Sequence, residues 1–434
     1  MSSEEVLLIN AILYTLTLIY FYMKYRFSMG LIVWFLYTIS AWSSFFFIQQ
    51  PMYIGTVHDS KQTLLPCFYL YAVFLIAMQP LMKLKKIENV SLHSKRLIKG
   101  IMIICTIVQI VFVIVDIPTM IKVITSGSMM LNELRSTVYG ADGLSRILQN
   151  ALLNKISLLY SGIRVIATEF SIISFFTFKD NRKLVDLFAI SALLNNIRII
   201  IVQVGRGEMI LMFLLYVSTF YLMRDWIDKE TKRKIILLAS PIIIIGVVFF
   251  WAITVSRFGD SVGYFMWKYL GEPMNNFNGI LFKRIQGTTN GRAYFSLIYR
   301  YLFGEGGVTT ADDKWRLIKE ATGIRGDIFY TWVGGLIIEF GKGIPILVAI
   351  ILNRVLSRVV RIKKYYTGDL IMLIFFLNFY IRGIFLFPTQ NFEGMLMILY
   401  TIILYFIFRI RRNNKGHLVY VLSKRGWIKK ERVG

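Results

Sequence analysis

The sequence predicts an all-α polytopic membrane protein with about eleven transmembrane helices, and three observations carry that expectation. Hydrophobic residues make up 56% of the 434 residues, and the mean hydropathy is +0.59. Several apolar stretches approach the roughly twenty residues that cross a bilayer as a helix. The Lys and Arg residues behind the formal charge of +25 gather in alternate connections between those stretches, on one side of the bilayer.

The spans fall at about 6–23, 29–48, 64–82, 100–120, 151–178, 184–203, 207–223, 235–255, 328–352, 369–387 and 394–408. The first lacks a basic leading region and a small-residue cleavage site, so it reads as a retained helix rather than a signal peptide. Segments 24–28, 83–99, 179–183, 224–234, 353–368 and 409–434 hold 30 Lys and Arg residues, whereas the short segments on the other side hold 5. That bias assigns the first set and the C-terminus to the cytoplasm, and the acidic Met1–Glu5 to the outside. It also accounts for the basic charge without nucleic acid. Cys67 and Cys105 lie in apolar spans and His58, His93 and His417 are scattered, so neither a disulfide framework nor a metal site is expected.

One connection differs from the rest: about 70 residues, 256–327, on the extracytoplasmic side. Its aromatic runs YFMWKY (264–269) and AYFSLIYRYLF (293–303) are too short to span and too apolar to float. They suggest short helices lying in the interface or packed as a lid. With no internal repeat or low-complexity linker, residues 1–434 read as a single membrane domain carrying one large outer loop.

The stretch 195–216 sets Arg198 and Arg206 inside an apolar run, where a guanidinium costs at least about 2.5 kcal/mol. Arg198 lies fifteen residues after Lys183, and Arg206 eighteen before Arg224, which places both about 22 to 27 Å from the basic side. A tight turn at Gly205–Gly207 would bring them to the outer face. The same count puts Arg164, Arg382, Glu339 and Asp116 at that level and Glu169 near the midplane. Four arginines against two carboxylates leave positive charge to be neutralised, and a phosphate or pyrophosphate matches guanidinium forks. The alternative is pairing among themselves, or snorkelling.

Within the loop, Arg257 follows the eighth span, and Lys283, Arg284 and Arg292 flank GTTNGR, a Gly-rich turn that lacks Walker spacing. Asp260, Glu272, Asp312, Asp313 and Asp327 are candidate general bases. Glu339 is distinctive because Gly341 and Gly343 interrupt its span in IIEFGKG; an ion pair with Lys342 or an arginine is its other reading.

Many spans, a GRG turn between central helices, one large outer loop beginning near YLGEPMNNFN and the later EFGKG together resemble Wzy-type O-antigen polymerases. EFGKG closes with Gly343, one residue short of the family's acid-Phe-Gly-x-x-Gly pattern. The resemblance implies a GT-C-like glycosyltransferase of the bacterial inner membrane, with a periplasmic N-terminus and loop. Its partners would be oligosaccharides linked to undecaprenyl pyrophosphate, membrane lipid and a chain-length regulator. Carried onto this sequence, it supports Arg206, Glu339 and the start of the loop.

Together with the charge pattern, the resemblance gives a pyrophosphate clamp of Arg198, Arg206, Arg257 and Arg292. Glu339 or Glu272 is the base, and Tyr264, Trp267 and Tyr294 stack on sugars. No cofactor or metal is expected. An O-antigen ligase shares this layout, but such ligases carry a loop histidine and 256–327 has none. A lipid-linked oligosaccharide flippase is the non-enzyme alternative, for which paired repeats and midplane sites are expected.

Overall fold

The computed structural model describes residues 1–420, except 51–60, 92–94, 126–150, 204–205, much of 228–258, 305–307, 413–417 and positions 179, 309, 363 and 390. Its helices are α1 (Ser3–Tyr25), α2 (Met29–Ile48), α3 (Leu64–Met78), α4 (Lys95–Thr125), α5 (Ala151–Thr177), α6 (Arg182–Gln203) and α7 (Arg206–Leu222). After these come α8 (Val262–Asn276), α9 (Ser296–Phe303), α10 (Ala311–Thr322), α11 (Thr331–Phe340), α12 (Ile344–Val360), α13 (Thr367–Arg382) and α14 (Phe392–Ile407). Among the described residues six helices are long and apolar enough to cross a membrane: α1, α2, α3 with its 3-10 extension to Lys83, α4, α5 and α6. Four short strands make two small ladders, β1 (Asn89–Ser91) with β2 (Lys364–Tyr366) in parallel and β3 (Ile410–Arg412) with β4 (Leu418–Tyr420) antiparallel. The fold is that of an all-helical membrane protein.

Local signals fix where these helices begin. Ser2 and Glu5 form a reciprocal capping box on α1, and Ser28 and Asn391 cap α2 and α14 by accepting from backbone N–H groups of the first turn. Ile12, Leu16, Ile19 and Met23 of α1 and Ile103, Ile107 and Ile114 of α4 stay exposed. Such apolar stripes are what lipid tails would cover.

The basic connections meet at one end of the bundle. Met29 N–H donates to Leu84 (2.8 Å) and Ile87 N–H to Leu222 (3.0 Å), Arg224 donates to the Lys85 carbonyl (2.7 Å), and Lys95 pairs with Asp180 (2.7 Å). At the other end Gln62 N–H reaches Ser3 (3.0 Å) and Thr63 N–H reaches Asn278 of the large loop (3.0 Å). We call these the basic end and the loop end.

One sequence expectation changes, and a second lies mostly outside the described residues. The span expected at 328–352 is two helices, because Gly341 (φ +81°) caps α11 and Pro345 restarts the chain in the first turn of α12. At ten residues α11 is about 15 Å long and buried from Thr331 to Glu339, so it is a central strut rather than a crossing. The span expected at 235–255 falls mostly outside the described residues.

The large loop is ordered by α8, which lies along the loop-end half of α2. Ser40 Oγ donates to the Leu270 carbonyl (2.7 Å). Gly271 permits the approach, since a Cβ there would sit 2.5 Å from the backbone of Ser43 and Ser44. Beyond α8 the chain passes through a π-helical turn, Phe277–Leu281. Helix α9 leaves Ile298, Tyr301, Leu302 and Phe303 exposed, as an interfacial helix would.

Candidate functional site

Four charges converge where α5, α7, α13 and α14 meet at the loop end. Arg164 Nη2 lies 2.7 Å from Glu393 and 3.2 Å from Glu208, while Arg382 Nη2 bonds both Glu208 oxygens at 2.9 and 3.1 Å. Arg198 pairs separately with Asp116 of α4 at 3.1 Å. The positive excess expected from sequence is therefore absent at Arg164, Arg198 and Arg382. Glu208 and Glu393 were missing from that count, although each occupies the first turn of its helix, where a carboxylate is favoured by the helix dipole. As a clamp residue Arg198 already holds a carboxylate.

A second constellation uses the other side of the same first turn. Arg206 opens α7; its side chain, like residues 204–205, lies outside the described residues. A Cβ on the neighbouring Gly207 would lie 2.8 Å from Tyr269 Oη of α8, so α7 begins against that ring. Tyr269 also packs on Phe385 (5.0 Å) and Phe329 (5.9 Å). One turn further along α8, buried Glu272 accepts from Asn276 Nδ2 at 3.2 Å, and Asn276 also reaches the Phe329 carbonyl at 3.2 Å. Burial pushes the Glu272 carboxyl above the usual range, with Lys268 pulling it down and Arg325 and Asp327 within its field. Arg325 and Asp327 form a bidentate pair (3.0 and 2.6 Å). Beside this cluster Thr331 holds φ +68°, a strained conformation for a β-branched residue of the kind that collects at functional sites.

Glu339 holds the large loop. Asn290 (φ +52°) and Gly291 (φ +86°) make a tight turn closed by Arg292 N–H to the Thr289 carbonyl (3.1 Å). The Glu339 carboxylate accepts from Thr289 Oγ1 (2.5 Å), from Gly291 N–H (2.6 Å) and from Tyr294 N–H. GTTNGR thus does wrap an anion, and the anion is Glu339. No ion pair to Lys342 or to an arginine forms at this carboxylate among the described residues.

The remaining candidates separate. Trp267 packs on Phe46 (5.0 Å), and buried Tyr264 on Phe47 (5.5 Å), so both anchor α8 to α2. Tyr294 is buried, with the Lys314 ammonium 5.7 Å from its ring centroid. Arg292 is half-buried, its Nε donating to the Thr289 carbonyl (3.3 Å). Arg257 and the side chain of Asp260 lie outside the described residues. Among the described residues no group of three or more His, Cys, Asp or Glu could hold a metal.

The chain matches no protein-family model, no curated protein and no solved structure. The class that the fold defines is an all-helical membrane protein with a folded loop at one end, and its function has to be argued from these side chains themselves.

Proposed function

We propose that the protein is a GT-C-like, lipid-linked oligosaccharide polymerase of the bacterial inner membrane, with its loop end outside and its basic end in the cytoplasm. The observation that carries the reading is the meeting of the α7 start, which bears Arg206, with Tyr269 of the loop helix α8, whose next turn carries Glu272. A cation at a helix N-terminus suits an anionic leaving group. A buried carboxylate one turn from an aromatic ring suits a sugar hydroxyl.

On this reading the donor is a saccharide chain on undecaprenyl pyrophosphate, and the acceptor is a second lipid-linked repeat unit. The acceptor hydroxyl attacks the first sugar's anomeric carbon, forming the new C–O bond as the bond to pyrophosphate oxygen breaks. Glu272 takes the hydroxyl proton, and Arg206 together with the helix dipole stabilises the departing pyrophosphate. Glu272 is preferred to Glu339 because it accepts a single hydrogen bond, whereas both Glu339 oxygens are occupied.

Deleting the gene and resolving surface polysaccharide on a gel tests the reading. Lipid core capped by one repeat unit is the expected product, because ligation continues while polymerisation stops. Core without any repeat would point to a ligase or a flippase and overturn it.

A further inference from the structure

Glu169 of α5 stands apart from every carboxylate described so far. It is 1% exposed, five residues deeper into the bundle than Arg164, about 7.5 Å along the helix. Its Oε2 accepts from Thr219 Oγ1 of α7 at 3.1 Å, and its Oε1 has no hydrogen-bond partner. Whereas Asp116, Glu208 and Glu393 each hold an arginine, Glu169 makes no ion pair among the described residues.

Its neighbours are polar and neutral. The Glu169–Thr219 bond and the Thr168–Asn196 bond (2.9 Å) fix α5, α6 and α7 at one depth. At that depth Ser218 Oγ and both amide atoms of Asn195 are also buried without a partner. A cavity lined by Arg164, Thr168, Asn196 and Glu208 joins this layer to the charged cluster at the loop end. The charged groups on the packed elements are already committed: Arg164 to Glu208 and Glu393, Arg382 to Glu208, Arg198 to Asp116, and Asp369 to Arg409.

We propose that Glu169 is a proton-binding site in the membrane interior, a neutral carboxylic acid whose proton exchanges with the loop end along the Thr168–Asn196 column. An isolated carboxylate in low dielectric is too costly to keep ionised, and buried polar atoms without a protein partner are positions where water can complete the hydrogen bonds through which a proton is handed on. The inference is independent of the proposed function.

Infrared spectra of the purified, lipid-reconstituted wild type and Glu169→Gln test it. The wild type should show a protonated-acid carbonyl band that Glu169→Gln lacks, and the band should shift on transfer to D2O. Glu169→Gln mimics the neutral acid and should keep the wild-type melting temperature. A second readout is dicyclohexylcarbodiimide, which adds whole to a protonated membrane carboxyl to give an N-acylurea; peptide mass mapping should find it on Glu169 and not on Glu208 or Glu393. The assignment is overturned by an identical infrared spectrum in the variant, by a band that never shifts in D2O, or by labelling that sodium chloride, but not choline chloride, suppresses at constant pH. The last result would mean that the site holds a metal cation instead of a proton.

Discussion

The two constellations that share the first turn of α7 are built on opposite principles. Toward α5, α13 and α14, Glu208 sits in a set of two arginines and two glutamates whose charges cancel. Toward α8, Gly207 clears space for Tyr269, and Glu272 keeps a carboxylate with one amide donor. A charge-balanced set holds helices together. The set beside strained Thr331, with its less committed carboxylate, is the one on which the proposed chemistry rests. Side chains one or two residues apart on one helical turn therefore belong to different tasks.

Glu272→Gln gives the largest separation between the two. On the proposed function it should lose about 10²- to 10⁴-fold in polymerisation at near-normal membrane abundance, read as polysaccharide chain length normalised to immunoblot level. Unchanged polymer would break the contrast from the catalytic side.

Glu208→Ala should behave oppositely. It strips Arg382 of its closest carboxylate and leaves buried charge uncompensated, a loss of about 3–5 kcal/mol, read as a fall in folded, monodisperse protein after detergent extraction. Normal yield with shortened polymer would show that the balanced cluster is itself part of the site.

Gly271→Ala sharpens the comparison by moving α8 alone. The new methyl meets backbone, not a flexible side chain, at 2.5 Å, so the helix must shift at a cost of about 1–3 kcal/mol. Faster proteolysis within 262–304 in purified protein, with the transmembrane helices still protected, is the expected result.

Lys314 supplies the smallest effect, a pH dependence confined to the loop. Burial holds its ammonium down at about 8, so between pH 8 and the ordinary lysine value of about 10.4 the unfolded chain binds more protons than the folded one. Stability should rise with pH across that window, and Lys314→Met should remove the rise in a melting-temperature series.

How far these features could be read in advance differs by kind. Helices α1, α2, α4 and α6 follow from apolar length, a signal carried within each segment. The division at Gly341 was visible as glycines, but apolar length outweighed it until the backbone at φ +81° showed the stop. Arg206 was conspicuous as a charge in an apolar run, whereas Glu272 stood only as one of several loop carboxylates. Ranking Glu272 above Glu339 was beyond reach, since the occupant of the Glu339 carboxylate is a turn nearly fifty residues away. Glu208 was hidden beside Arg206; weighing first-turn carboxylates on helices that start at the loop end would have revealed it and Glu393.

The central claim of the proposed function is that Arg206 acts on a leaving group, whereas its neighbour Glu208 pairs with Arg164 and Arg382 in the bundle. Chain-length distribution normalised to protein level for Arg206→Ala and Arg206→Lys tests it most directly. The account predicts a roughly 10²- to 10³-fold loss of polymerisation in Arg206→Ala at near-normal abundance, with little rescue by Arg206→Lys because a point charge cannot reproduce a planar fork. Full-length polymer from Arg206→Ala, or a loss of polymer that only follows a loss of protein, would contradict it.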